Sequence, residues 1–507
     1  MKNKTLFIAL IMVLINAIST AQSIPQNLNA YITDASTHDE INGNVLITED
    51  GKVLYKNSYG YQDIAREVPL NDGTLSEMGS VSKTFTAVAV LQLMEKGKLR
   101  LNDTYVKYFP DFLYPTITIR QLLSHTSGLP DVDSIIDSLV AKDPQKIFTN
   151  ADDLTALQIN EKKHHPVFTP GDRWAYSSVG YELLGLLVEK LSGERFADYL
   201  KKHVFQPAGM TATFLPTSLA QTKVPNHVLN YIYNNHYEMG LQWVDTLAEK
   251  REWTYNLMGT YGAGGINSTT GDMLKYDDAL YNGKLLKQAT LDEAFTPVKL
   301  NNGQPAYADR YTSSSYGLGW FIYNDNSGGK IVWHSGSAPG VVTLFARNVT
   351  KHQTYIALFN VAIATPVYHD MLDIIAGKTV TYKQPLGYMY GQDAYKHGVD
   401  YALAHLNALK SDTAHYILKE ADLERIALEF SRDYFHSQNL SLETYKLITM
   451  LYPGDEHIYV LYADLLLTGR VKNRDAAMMV YQKALELNPA DEKVKKILSG
   501  LQLKNKQ

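Results

Sequence analysis

The stretch Gly79-Ser80-Val81-Ser82-Lys83-Thr84-Phe85-Thr86-Ala87-Val88-Ala89-Val90-Leu91-Gln92-Leu93-Met94-Glu95-Lys96-Gly97 decides how this chain is read. Residues 81–96 follow a helical pattern that is apolar almost all round, through Phe85, Val88, Leu91 and Met94, and Gly97 follows as a stop signal. A helix without a polar face is buried on most sides. At its start stand Ser80 and Lys83, three positions apart, which puts them on one face within hydrogen-bond reach. A serine hydroxyl is a weak nucleophile until a base takes its proton, and a lysine serves as that base when burial and neighbouring cations lower its pKa. The backbone N–H groups of the same helix start favour developing negative charge. Alone the Ser-x-x-Lys pattern is weak, since roughly two chance matches are expected in a chain this long.

Outward from this helix the patterns alternate. Residues 42–61 read as two strands around the turn Glu49-Asp50-Gly51, with Val45, Ile47, Val53 and Tyr55 alternating as in a half-buried hairpin. Thr118-x-x-Gln121 and Thr269-x-x-Asp272 are helix-opening capping signatures. Residues 330–334, 341–348 and 355–361 are β-rich and separated by turn residues. Strands at both ends with helices between them predict an α+β domain over 24–377, whose antiparallel sheet is closed by distant segments and flanked by helices, with an α-helical subdomain. The polar, Tyr- and Gly-containing stretch 378–396 lacks a clear period and reads as a linker. Residues 397–507 read as all-helical. There Ala477, Tyr481, Ala484 and Pro489 have the spacing of the second half of a tetratricopeptide repeat, and the ending Tyr445 to Pro453 echoes it. With a degenerate pair near 401–418 these make a short solenoid of about three units. A groove for a protein partner and a plain cap on the preceding domain both fit this tail, and the sequence leaves the two open.

Two further segments give the Ser-x-x-Lys pattern its meaning. Phe168-Thr169-Pro170-Gly171-Asp172-Arg173-Trp174-Ala175-Tyr176-Ser177-Ser178-Val179-Gly180-Tyr181 carries a Tyr-x-Ser before Gly-Tyr, and His334-Ser335-Gly336 ends a predicted strand. In this order the three motifs resemble those of the serine β-lactamase and penicillin-binding-protein family, in particular its class C β-lactamase-like branch. Framework segments agree: residues 122–129 (LLSHTSGL), 262–269 (GAGGINST) and 316–320 (YGLGW). The resemblance covers about residues 42–375 and implies a β-lactamase/transpeptidase-like fold. It implies that Ser80 attacks a substrate carbonyl and is acylated, and that Lys83 and Tyr176 share general-base and general-acid duty. The N–H groups of Ser80 and Ser337 would form the oxyanion hole, while Ser178, His334, Ser335 and Gly336 would line the substrate site.

Two departures from the family pattern bear on substrate. Ser178 stands where the β-lactam enzymes have an Asn, and a hydroxyl reaches less far than an amide and donates once. His334 stands where a Lys is usual, so attraction for a substrate carboxylate is weaker and depends on pH. The reading is therefore an acyl-serine hydrolase of D-amino-acid peptides, related amides or esters. A true β-lactamase and an inert binding protein that works through its helical repeats are the alternatives.

The remaining features bound this reading. A formal net charge of −5 with mixed signs offers no basic field for nucleic acid. Lys2 and Lys4, the apolar run 6–15 and Ser19-Thr20-Ala21 form a signal peptide over 1–21, which predicts export to the periplasm or medium without a stable membrane anchor after cleavage. The absence of cysteine removes disulfides, thiol nucleophiles and Cys-ligated metals, and neither metal nor organic cofactor is implied. Three features read as structural. His125 beside Ser124 and Ser127 ends a short helix, His164-His165 with Asp152 and Asp153 has no zinc-ligand spacing, and Tyr231, Tyr233 and Trp243 fit core packing as well as a cleft wall. The 35 tyrosines likewise fit core filling better than a stacking surface.

Overall fold

The computed structural model describes residues 26–503 apart from 39, 130–139, 160–165, 219–220, 222–223, 234, 236, 239, 248–249, 251–254, 310–312, 326–327, 363–366, 433–437 and 470–471. The expected signal segment 1–21 and the pair His164-His165 lie outside the described residues. The chain divides into two compact units, one of residues 1–232 with 243–381 and one of residues 233–242 with 382–507.

In the first unit a helix over residues 26–36 (α1) buries Leu28, Tyr31, Ile32 and Ala35, the i, i+3, i+4, i+7 face of an amphipathic helix. Eight strands follow: β1 (Gly43–Glu49), β2 (Lys52–Tyr59), β3 (Tyr307–Asp309), β4 (Ser314–Tyr316), β5 (Phe321–Asp325), β6 (Gly329–Ala338), β7 (Val341–Asn348) and β8 (Gln353–Phe359). They form one antiparallel sheet in the order β2-β1-β8-β7-β6-β5-β4-β3. The first hairpin is thus joined to the last strand, with Val45 opposite Ala357 and Ile47 opposite Tyr355. β1 and β8 are covered on both faces, and β2 is the edge, leaving Val53 54% exposed. The even alternation expected across this hairpin is therefore replaced by one buried and one exposed strand.

Helix α2 (Ser82–Glu95) is the axis of the core: every residue from Ser82 to Leu93 is buried. Phe85 stacks on Tyr276 at 4.0 Å between ring centroids and meets Phe205 edge-on at 5.7 Å. Around α2 pack the short α3 (Ile119–Leu123), α4 (Ser178–Ser192) and α5 (Thr270–Tyr281). Thr118 and Gln121 close a reciprocal capping box on α3, and Thr269 caps α5 through the N–H of Asp272. Helix α6 (Val367–Ile375) packs on β7, and the Tyr31 hydroxyl of α1 donates to the Asp370 carboxylate of α6 at 2.7 Å. Ten tyrosines are among the largest fully buried side chains, Tyr181, Tyr276 and Tyr316 among them, so much of the tyrosine excess is core.

The second unit holds seven helices among its described residues: α7 (Leu386–His397), α8 (Val399–Leu409), α9 (Glu420–Arg432), α10 (Gln438–Leu451), α11 (Glu456–Thr468), α12 (Arg474–Leu487) and α13 (Glu492–Leu503). They pack in succession, α7 on α8, α9 on α10 and α11 on α12, with Ala477, Tyr481 and Ala484 fully buried. The stretch expected as a linker carries α7 from Leu386 onward. Gly391 faces α9 there so closely that a Cβ would lie 2.6 Å from Ile426, and Tyr390 is buried beside it. The same unit takes in residues 233–242 from mid-chain. Tyr237 is fully buried between Tyr395 and Phe430, at 4.9 and 4.6 Å between ring centroids.

Candidate active site

The site is built where the start of α2 meets β6. Ser80 lies in a 3-10 turn, Gly79–Val81, that runs directly into α2. Gly79 has φ +49°, in the left-handed region, and a Cβ there would lie 2.9 Å from the Ser337 nitrogen. On the strand side a Cβ at Gly336 would lie 2.1 Å from the Met78 carbonyl oxygen. Two side-chain-free positions thus let the nucleophile turn and the strand touch backbone to backbone. The Ser337 amide is thereby set against the turn that carries Ser80. Thr343 of β7 fixes the approach by donating to the Met78 carbonyl at 2.8 Å.

Lys83 is fully buried, yet its ammonium is saturated. Nζ donates to Ser80 Oγ at 3.2 Å, to the Ala263 carbonyl at 2.8 Å and to Ser178 Oγ at 3.4 Å, which uses all three N–H groups on uncharged acceptors. Nζ also stands 4.8 Å from the centre of the Tyr176 ring and 5.7 Å from that of Tyr181. Ser178 is the first residue of α4, capped by Ser177, whose Oγ accepts from the Gly180 N–H. Tyr176 precedes that cap and is 41% exposed, the open wall of the site. Ser80 and Ser335 are half-buried and Ser337 is exposed.

His334 behaves otherwise. It is buried, its Nδ1 donates to the Ser335 carbonyl at 2.6 Å, and its Nε2 accepts from the Tyr316 hydroxyl at 3.1 Å. Burial, aided by the charge of Lys83, pushes its pKa down to about 3. Both nitrogens are engaged and the ring is neutral, so in this arrangement it has no free donor or charge for the substrate contact expected of it. Among the described residues no group of three His, Asp or Glu side chains could hold a metal ion.

The Beta-lactamase family profile matches residues 28–375. The chain belongs to the Beta-lactamase family. It is 37% identical over 322 residues to Penicillin-binding protein 4* of Bacillus subtilis (strain 168), covering 63% of this chain and 68% of that one. The solved penicillin binding protein of Bacillus halodurans superposes with a TM-score of 0.56 at 27% identity, over 68% of this chain and 98% of that one. The D-amino acid amidase of Ochrobactrum anthropi SV3 has the same fold, with a TM-score of 0.56 at 22% identity, over 70% of this chain and 97% of that one.

As a Beta-lactamase family member the protein is a serine hydrolase, and its geometry brings Ser80, Lys83 and Ser178 within hydrogen-bond distance and lays Tyr176 over Lys83. Among the described residues, Tyr176 meets Lys83 through its ring face rather than by a hydroxyl hydrogen bond. The Ala263 carbonyl and Tyr316 are components that no motif reading assigns to the site. The framework segments 262–269 and 316–320 were the available signal: each runs past Lys83 or His334. Of the set-aside residues, Tyr231 is buried and accepts from the Ile64 N–H at 3.1 Å, while Trp243 is 37% exposed. His125 is buried directly beneath Tyr176.

Proposed function

We propose that this protein is an exported serine hydrolase working through an acyl-enzyme on Ser80, and that it acts on D-amino-acid peptides, related amides or esters. The observation that carries the reading is the 3.2 Å contact between Lys83 Nζ and Ser80 Oγ, made by a lysine whose other partners are a carbonyl and a second hydroxyl. No carboxylate among these partners ties the amine up, so proton exchange between Nζ and Oγ runs along an existing hydrogen bond. With Lys83 in its neutral amine form, Nζ takes the Oγ proton as Ser80 attacks the carbonyl carbon, and the oxyanion develops toward the Ser80 and Ser337 amides at the glycine-lined contact between turn and strand. Tyr176, whose ring face lies over Lys83, must turn its hydroxyl toward Nζ to pass the proton to the leaving group. Water then attacks the acyl-enzyme with the same groups acting in reverse.

Ser178 offers a short hydroxyl already engaged by Lys83, which suits an ester or a small amide better than a bulky bicyclic lactam. The amidase that shares the fold is named for D-amino acid amides. Export is supported by the charge and apolar pattern of residues 2–21. Among the described residues no helix is long and apolar enough to cross a membrane.

Mass spectrometry after incubation with a fluorophosphonate, and separately with a penicillin, tests the reading. The expected result is one covalent adduct on Ser80 from the fluorophosphonate, lost in Ser80→Ala and strongly slowed in Lys83→Ala. A persistent penicillin adduct would favour D-peptide recognition and rapid release would favour a β-lactamase. No adduct from either reagent on folded protein would overturn the acyl-enzyme reading. An N-terminus at Gln22 in protein recovered outside the cytoplasm is the matching result for export.

A further inference from the structure

His125 concentrates several unfavourable features in one place. Its backbone has φ +56°, a left-handed conformation that a histidine adopts rarely. Its ring is fully buried, and Nε2 has no hydrogen-bond partner. Such features persist only where the surroundings enforce them, and they cluster at functional sites.

What surrounds His125 is the segment that carries Tyr176. The residue before Tyr176 donates to it through the main chain, Ala175 N–H to the His125 carbonyl at 2.9 Å. The residue after Tyr176 donates to its ring, Ser177 N–H to Nδ1 at 3.1 Å. Between these two anchors the Tyr176 ring stacks on the imidazole at 4.3 Å between centroids and 29° between planes. Tyr181, Tyr316 and Trp174 enclose the imidazole at 5.0, 4.9 and 5.8 Å, so the ring cannot swing away.

We infer that His125 is the positioning residue of Tyr176: it holds the phenol over Lys83 by gripping the chain on either side of it and stacking beneath it. The inference rests on the proposed acid–base role of Tyr176. Because Nδ1 accepts from Ser177, the proton sits on Nε2 and the ring is neutral. Burial and the neighbouring Lys83 and His334 push the pKa well below the ordinary imidazole value, which agrees with that state. A neutral ring supplies an acceptor and a stacking face without adding a second cation beside Lys83. Among the described residues no hydrogen bond joins His125 to Ser80, so its effect passes through Tyr176.

A double-mutant cycle on the full-length protein tests this, with the second-order rate of fluorophosphonate labelling of Ser80 as the readout, counted per protein that labels at the end point. His125→Ala is expected to slow labelling roughly 10- to 100-fold, the scale of a misplaced catalytic group. In a Tyr176→Phe background the same change is expected to alter the rate less than about twofold. His125→Asn keeps an acceptor for Ser177 and tolerates the left-handed backbone, so it is expected to recover part of the rate and serves if the alanine variant does not fold. Equal loss in both backgrounds, or no loss with Tyr176 present, would overturn the inference while leaving the role of Tyr176 intact. A Tyr176→Phe variant that labels at the parent rate would remove Tyr176 from the chemistry, and both readings with it.

Discussion

Acidification should destabilise the hydrolase unit through two histidines that no surface property reveals. His125 and His334 are 0% and 1% exposed, and burial first, then the charge of Lys83, lowers both pKa values, that of His334 to about 3. The sign follows from proton counting. Between the native value and the unfolded value of about 6.5, only the unfolded chain takes up these protons, so stability falls as pH falls through that window and is complete above it. For His334, whose native pKa is pushed down to about 3, moving from pH 7 to pH 5 costs about 2 kcal/mol, and His125 adds to the loss in the same direction. Carboxylates add their own dependence, so the informative quantity is a difference between variants. All five tryptophans fall in the hydrolase unit, and their fluorescence in guanidinium titrations therefore follows that unit alone. His334→Asn should lose about 2 kcal/mol of the pH 7-to-5 decrement relative to the parent protein. An unchanged decrement in both His334→Asn and His125→Asn would refute the claim that these rings are held neutral.

Other perturbations report on separate parts of the design. Gly336→Ala places a Cβ 2.1 Å from the Met78 carbonyl and 2.2 Å from Thr343 Oγ1, so it should push the nucleophile turn off the strand. A loss of about 1–3 kcal/mol in thermal unfolding and a slowed Ser80 labelling rate are expected together. Tyr316→Phe removes the donor to His334 Nε2 and leaves a buried acceptor unmatched, at a cost of about 1–3 kcal/mol read as a lower guanidinium midpoint with an unchanged slope. Lys83→Ala should reduce the rate of Ser80 labelling by about 10²- to 10⁴-fold, the range for losing a positioned acid–base group, while near-ultraviolet circular dichroism stays native. Tyr237→Ala should cost the helical unit about 3–5 kcal/mol, seen as earlier loss of far-ultraviolet signal while tryptophan fluorescence holds.

The parts of this architecture that were legible are those a single segment dictates. An apolar pattern on all faces of residues 81–96 could belong only to a buried helix, and Ser80 and Lys83 are joined by the geometry of one turn. The β-rich runs near the end of the domain likewise carried their own period. What was hidden depends on partners far away in the chain. Nothing within residues 334–337 foretells that Tyr316 will hold the His334 ring in the interior, because that pairing exists only once β4 and β6 share a sheet. Nor does the loop 124–128 announce that residues 175 and 177 will converge on His125. Helix α7 is hidden in the sequence because glycine lowers helix propensity, whereas Gly391 lets Ile426 approach. Val53 misled through the opposite effect: an edge strand tolerates an apolar side chain in water.

The placement of Tyr237 has a consequence for synthesis on the ribosome. Its aromatic neighbours Tyr395 and Phe430 are made long after it, Phe430 by 193 residues, so the decapeptide 233–242 must stay available until the C-terminal helices emerge. Contacts of such long sequence separation form late and slowly. A nascent chain released before α9 would therefore present Tyr237 without the ring of Phe430 against it. Concealment of Tyr237 thus follows synthesis of α9, so a chain truncated before Phe430 leaves that segment open even though the residues bearing Ser80 are already made.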